Sequence, residues 1–211
     1  MAISLETQHA PQAPIVKLNA IGQILDGVLA HAEQRNQQTR RDGIWVNQTK
    51  PDGTPRREEI LHLIVKSGTA QLPAARGSDD LRQVEPDEHV RVIVKGAKWA
   101  KRIEAYSKLD GGMQVGDLLR IRVVDAIAVN ESGVIAGTEC TTNEQVLAQR
   151  VKGRNISFGW AIEARRARPE EADLVHKAEA LYLALTTKAT PLEPAAPTAR
   201  PEWVDDGEEP F

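Results

Sequence analysis

Residues 89–112 read HVRVIVKGAKWAKRIEAYSKLDGG, and the fold turns on the change of period inside them. Over residues 89–95 the valines Val90, Val92 and Val94 recur at every second position, the spacing of a strand. From residue 97 the large side chains Trp99, Ile103 and Tyr106 fall at helical spacing instead, with Lys98, Lys101, Arg102 and Lys108 around them. Gly111 and Gly112 supply the stop. The stretch predicts a strand followed at once by a helix over residues 97–109.

Upstream, residues 59–66 set Leu61, Leu63 and Val65 against Ile60, His62, Ile64 and Lys66, which reads as a largely buried strand. Residues 67–88, punctuated by Pro73, Gly77 and Pro86, read as loop. Residues 35–57 are polar and carry the turn signal Pro51-Asp52-Gly53, so a long exposed loop or hairpin is expected. Residues 15–34 fit either a helix or a long bent strand, and Gly22 and Gly27 favour the strand. Residues 1–14, with Pro11 and Pro14, read as a flexible arm.

Downstream, residues 117–129 place Leu119, Ile121 and Val123 on one face of a strand and Arg120 and Arg122 on the other. A turn at Asn130-Glu131-Ser132-Gly133 leads into a further strand over residues 134–140, one beyond a five-strand count and ready to pair with its neighbour. Residues 141–153 read as loop or short helix. Ile156, Phe158, Trp160 and Ile162 alternate in a final strand. Pro169 opens a helix with Glu170, Glu171 and Asp173 in its first turn, where acids favour the dipole; its stripe is Leu174, Val175, Ala178, Leu181, Tyr182 and Leu185.

A chain of 211 residues, 41% hydrophobic and 27% charged, is ordinary for a soluble globular protein. No apolar run approaches the roughly 20 residues that cross a bilayer, and a single cysteine, Cys140, excludes an internal disulfide and fits a reducing cytoplasm. The sequence holds no Gly-x-x-x-x-Gly-Lys phosphate loop and no His-Glu-x-x-His. The histidines His9, His31, His62, His89 and His176 are scattered, and Glu58-Glu59 and Asp79-Asp80 sit among other charges. The expectation is a non-enzyme without cofactor or metal.

The chain ends Glu202-Trp203-Val204-Asp205-Asp206-Gly207-Glu208-Glu209-Pro210-Phe211, after a Pro/Ala/Thr linker from residue 191. So acidic a run buries too little to offset its ordering entropy and is expected to be disordered. Residues 191–211 carry six acids and one base, so of the overall net charge of −3 the remaining residues hold +2. A terminal Phe beside the free carboxylate suits capture by a partner, through an apolar pocket and a basic residue.

This ending resembles the acidic tails of bacterial and bacteriophage single-stranded-DNA-binding proteins, which end in Pro-Phe or a lone Phe and recruit replication partners. The order of elements, with a helix between the third and fourth of five strands, is that of the OB-fold, which binds through strands 2 and 3 and the loops after strands 1 and 4. Together these resemble a bacteriophage single-stranded-DNA-binding protein. The expectation is a mainly β, five-stranded OB-fold-like barrel. Its parts are the arm over residues 1–14, the DNA-binding domain over 15–168, an appended helix over 169–189 and the acidic tail over 190–211.

Binding single strands needs cations for phosphates and aromatic faces for bases. The candidates are Arg40, Arg41, Trp45, Lys50, Arg56 and Arg57 in the first long loop, Lys66 and Lys95 on strands, and Arg120, Arg122, Lys152, Arg154 and Trp160 further on. Asp205, Asp206, Glu208, Glu209, Pro210 and Phe211 are the candidate partner-binding tail. The function expected is sequence-independent protection of single-stranded DNA in replication or recombination, in the cytoplasm of a cell or of a phage host. The alternatives are a recombination accessory protein that anneals or loads on DNA, a protein–protein adaptor built on a β-barrel, and an enzyme without a motif. The last helix packs either on its own barrel or on a partner's, which leaves a homodimer open.

Overall fold

The structure is a computed structural model describing residues 13–41, 44–75, 78–129 and 135–187. Residues 1–12 of the arm and the acidic tail lie outside the described residues; Ala13 and Pro14, read as part of the arm, accept at their carbonyls from the Arg91 side chain at 2.7 Å and the Arg91 amide at 2.9 Å. In chain order the elements are β1 (Ile24–Asn36), β2 (Gln38–Arg41), β3 (Ile44–Asn47), β4 (Arg57–Gly68), β5 (Gln71–Pro73), β6 (Leu81–Gln83) and β7 (His89–Lys95). There follow α1 (Ala97–Ser107), β8 (Leu118–Val129), β9 (Ile135–Cys140), α2 (Asn143–Val151), β10 (Asn155–Arg165), a 3-10 turn (Pro169–Glu171) and α3 (Ala172–Thr187).

The main sheet is antiparallel, in the order β10-β8-β1-β4-β7, with β9 paired to β8 as a hairpin. The alternation in β4 sends Leu61, Leu63 and Val65 inward. There they join Leu25 and Leu29 of β1, Val90, Val92 and Val94 of β7, Leu119, Ile121 and Val123 of β8, and Trp160 and Ile162 of β10. Both edge strands contribute to that one cluster, so the sheet curls around it. Burial of each such Val, Leu or Ile contributes about 1.5–3 kcal/mol, which makes this cluster the chief source of stability. β1 can follow the curl because of Gly27, where a Cβ would lie 3.1 Å from the Ile64 carbonyl oxygen and 3.1 Å from Leu63 Cβ. The expected bend therefore falls at a close backbone approach beside a β-bulge.

Two expectations change. Among the described residues no ladder joins β7 to β10, so the expected barrel is not closed by hydrogen bonds. Residues 67–88 are not simply loop: β5 and β6 form a small hairpin whose Leu72, with Ala70 and Val84 beside it, enters the core. Leu72, between Gln71 and Pro73 and with only the small Ala70 two residues before it, carries too short a period to reveal the strand without its burial. Of the loop or short helix read over residues 141–153, the helix is what forms: it is α2, where Thr142 Oγ1 accepts from the Gln145 amide and the Gln145 side chain accepts from the Thr142 amide, a capping box.

On the outer face α3 packs on its own sheet, with Leu174, Val175, Ala178 and Leu181 against Val28, Ala30 and Ile64. Glu171 lies in the first turn after Pro169, as the sequence places it, and does more there than favour the dipole. Its carboxylate is buried and accepts from both Arg165 guanidinium nitrogens at 2.6 and 2.8 Å, from the Arg168 amide at 2.8 Å and from Lys66 Nζ. The Arg165 hydrogen bonds, ahead of that from Lys66, hold this carboxyl far below the usual range. One side chain thus ties the start of α3 to β4 and β10.

The same face carries His31, His62 and His89 on three neighbouring strands. Their ring centroids lie 5.8 and 5.3 Å apart, and His62 Nδ1 meets His89 Nε2 at 3.0 Å. Burial, then the neighbouring His31 and Arg91, pushes His62 down to about 4; burial, then His62 and Arg91, does the same to His89. Glu33 Oε1 stands 4.0 Å from His62 Nε2, and the Tyr182 ring of α3 lies 5.9 Å from that of His31.

Two predictions follow from this face. Glu171→Ala strands two cations, each still partly in water, and costs about 2 kcal/mol. That lowers the melting temperature by about 4–8 °C for a domain of this size, readable by thermal denaturation. The histidines bind fewer protons folded than unfolded, so their contribution is complete above the ordinary value of 6.5 and is lost as the pH falls towards about 4. Urea denaturation midpoints at pH 7.5, 5.5 and 4.5 should fall less steeply in a His62→Gln, His89→Gln double variant. An equal slope in the two proteins would assign the acid sensitivity to other groups.

Candidate functional site

The seam between β7 and β10 is covered by α1. The chain enters this helix through Gly96, whose φ of 59° and ψ of −134° suit glycine, and leaves it before Gly111 and Gly112, both at positive φ. Arg102 on α1 forms an ion pair with Glu59 of β4, buried on both sides, and its guanidinium lies 4.5 Å from the Tyr106 ring centroid. Tyr106 faces the core as expected and Ala105 beside it does too, whereas Ile103 of the expected stripe is half exposed. The Trp99 side chain lies outside the description.

Two open clefts meet at Gly96. One, of about 760 Å³, lies between the base of the β2–β3 hairpin and the Pro51-Asp52-Gly53 turn, and is lined by Lys50, Asp52, Thr54, Arg56 and Arg57 among others. The other, of about 670 Å³, lies between β10 and α1 and is lined by Lys95, Lys98, Lys101, Phe158 and Trp160 among others. Arg57 also reaches a third cleft of about 380 Å³ with Gln34, Arg35 and Asn36. The first two present the cations Lys50, Arg56, Arg57, Lys95, Lys98 and Lys101 against the acids Asp52, Glu104 and Asp125. Two of the acids are engaged. Asp52 accepts from Thr54 Oγ1 at 2.6 Å and from its amide at 2.9 Å, while Glu104 pairs with Lys101 at 3.7 Å and Lys108 at 3.4 Å. The balance at the seam is positive.

Lys98 is the unusual cation. Its Nζ sits 3.8 Å from the Trp160 ring centroid, and it forms no ion pair with a described residue. Burial, then the neighbouring Lys95, pushes its ammonium down to about 8. Trp160 itself is 8% exposed, and its indole Nε1 is buried without a hydrogen-bond partner among the described residues. The Arg150 guanidinium stands 5.7 Å from the Phe158 ring centroid, and Arg150 donates to the Asn19 carbonyl at 3.3 Å.

Of the candidates read from the sequence, Lys50, Arg56, Arg57, Lys95 and Trp160 are brought to these clefts. Arg40 and Trp45 are cross-strand partners in the β2–β3 hairpin, with Arg41 opposite Ile44; the side chains of the two arginines and of Trp45 lie outside the description. Lys66 is taken by Glu171, and Arg120 by Asp26 through two contacts of 2.8 Å. Arg154 donates to Gln149 at 2.9 Å and Thr138 at 3.1 Å. Arg122 is exposed on the outer face of β8, and exposed Lys152 caps α2. None of these last five lines the clefts that meet at Gly96. Lys98 and Lys101, which the sequence sets around the α1 stripe without a binding role, also line the second cleft; the signal that places them is their nearness to Lys95 and Gly96 at the strand–helix junction. Among the described residues no three His, Cys, Asp or Glu side chains are grouped to hold a metal ion, and no helix is long and apolar enough to cross a membrane.

Compared with protein-family models, with curated proteins and with solved structures, the chain matches none.

The Lys98–Trp160 contact has a direct signature. Intrinsic tryptophan fluorescence should titrate with a midpoint near pH 8 as the ammonium above the ring is lost, and Lys98→Met should remove that transition. A transition unchanged in the variant would place the titrating group elsewhere.

Proposed function

We propose that the chain binds single-stranded DNA, with little overall sequence preference, along the two clefts that meet at Gly96. The observation that carries the reading is the gathering of six cations along two clefts that meet at Gly96, with Phe158 and Trp160 lining the second. Flexible single strands offer both phosphates for such cations and bases for apolar aromatic surfaces, and stacking adds about 1–3 kcal/mol per base. A rigid duplex keeps its bases covered and fits a narrow seam poorly. The order β10-β8-β1-β4-β7 with α1 after β7 supports an OB-like interpretation, in which the hairpin following β1 and the edge strand β7 belong to the binding side. The acidic tail, with Phe211 at its end, takes the role of recruiting replication or recombination proteins.

The experiment is a fluorescence and mobility-shift titration with a dT oligonucleotide and with duplex DNA at several salt concentrations. Wild-type protein should prefer the single strand, with affinity falling as salt rises. Each phosphate contact on a single strand contributes about 0.7 to the slope of log affinity against log salt. A Lys95→Ala, Lys98→Ala double variant should therefore lose about 1.4 from that slope, and about 25-fold in affinity at 0.1 M salt. Absence of binding to the single strand would remove the reading and leave the protein–protein adaptor in its place.

A further inference from the structure

We propose that Asp125 makes the cleft between β10 and α1 selective for a base that presents an amino group, so that cytosine is held there over thymine; this rests on the single-strand reading above. A carboxylate is out of place in a cleft meant for a polyanion, because it repels phosphate as strongly as each lysine attracts it. Glu104 is neutralised in its pairs with Lys101 and Lys108. Asp125 lines the same cleft and forms no ion pair with a described residue. Such a group helps binding only where it meets a hydrogen-bond donor on the ligand. On DNA those donors are on the base edges, and of the two pyrimidines only cytosine presents an amino group, from which aspartate and glutamate accept.

The strand pairing builds this position. Asp125 is opposite Gly159, and the next pair is Val123 with Trp160, so the irregularity leaves Val124 without a partner and displaces the strand beside the cleft. Gly159 is what makes room: a Cβ there would lie 1.9 Å from Asp125 Oδ1. The carboxylate accordingly lies across the glycine, where Ser157 and Ala161 of the same strand line the same cleft. At about 670 Å³ the cleft admits either pyrimidine, so size does not choose between them. Thymine offers two carbonyl oxygens, which the carboxylate repels, around a single N–H; cytosine turns an amino group to it.

The test is a competition titration at pH 8, with dC12 and dT12 displacing a fluorescent dT oligonucleotide from the full chain. Wild-type protein should hold dC12 about fivefold more tightly than dT12, the scale of one base-edge contact. Asp125→Asn is exposed and isosteric, and its amide can face either base, so the ratio should fall to about one while dT12 binds as well or better. Gly159→Ala should also abolish the ratio, although Asp125 remains, because the methyl displaces the carboxylate. Equal binding of dC12 and dT12 by the wild type overturns the inference and leaves the single-strand reading standing. A preference that survives in Asp125→Asn overturns the assignment to this residue. Failure of wild type to bind either oligonucleotide removes both readings together.

Discussion

The structure depends on how a curled sheet deals with the two edges it does not join. β7 and β10 share one core cluster, yet no ladder connects them among the described residues. An uncovered gap there would wet the inner face of both strands and leave their edge amides as templates for other chains. α1 meets that need. It is held by the buried Arg102–Glu59 pair and seals with Ala105 and Tyr106. Because a helix is a rounder object than a strand, it cannot fill the seam along its whole length. The clefts on either side of Gly96 are what remains.

The cations divide according to whether the chain supplies their acids. Lys66 and Arg165 converge on Glu171, Arg120 on Asp26, Arg166 on Asp117 and Arg102 on Glu59. Each of those carboxylates is buried, and each pair pins one element to another. Lys95 and Lys98, by contrast, form no ion pair with a described residue, and Lys98 rests on an aromatic ring instead. Removing a paired cation changes the fold first, whereas removing an unpaired one changes the surface first. That difference, more than net charge, is the reason for placing the proposed interface at the seam: the whole chain carries −3 and would not by itself indicate a polyanion as ligand.

The strands that form the sheet were readable because their burial is one-sided and periodic. The valines of β7 and the leucines of β4 announce their inward face in any window of a few residues. Gly27 announced a bend, and the surplus strand β9 announced its hairpin partner. What could not be read depended on distant partners. Leu72 sits in too short a period, and Glu171 looks like a helix-dipole acid until Arg165 and Lys66 are seen around it. The same limit applies to the site. Lys66, Arg120 and Lys95 are all cations at alternating positions on strands, and only the tertiary structure shows that the first two face acids and the third faces a cleft.

Trp160 belongs to the core and to the cleft at once. As a member of the alternating set Ile156, Phe158, Trp160 and Ile162 it belongs to the core, and at 8% exposure it is there. It also lines the cleft, with Lys98 over its ring. The two roles are compatible because the strand that carries it is an edge, so one side of the ring packs inward while the neighbouring groove remains open. A tryptophan on a central strand would be enclosed by sheet on both sides and could not take part in both. An unclosed edge thus serves stability through α1 and, on the reading proposed here, recognition through the groove that α1 leaves. The two are coupled: a change that tightened the seam into a continuous ladder would stabilise the sheet and remove the space in which a base could lie.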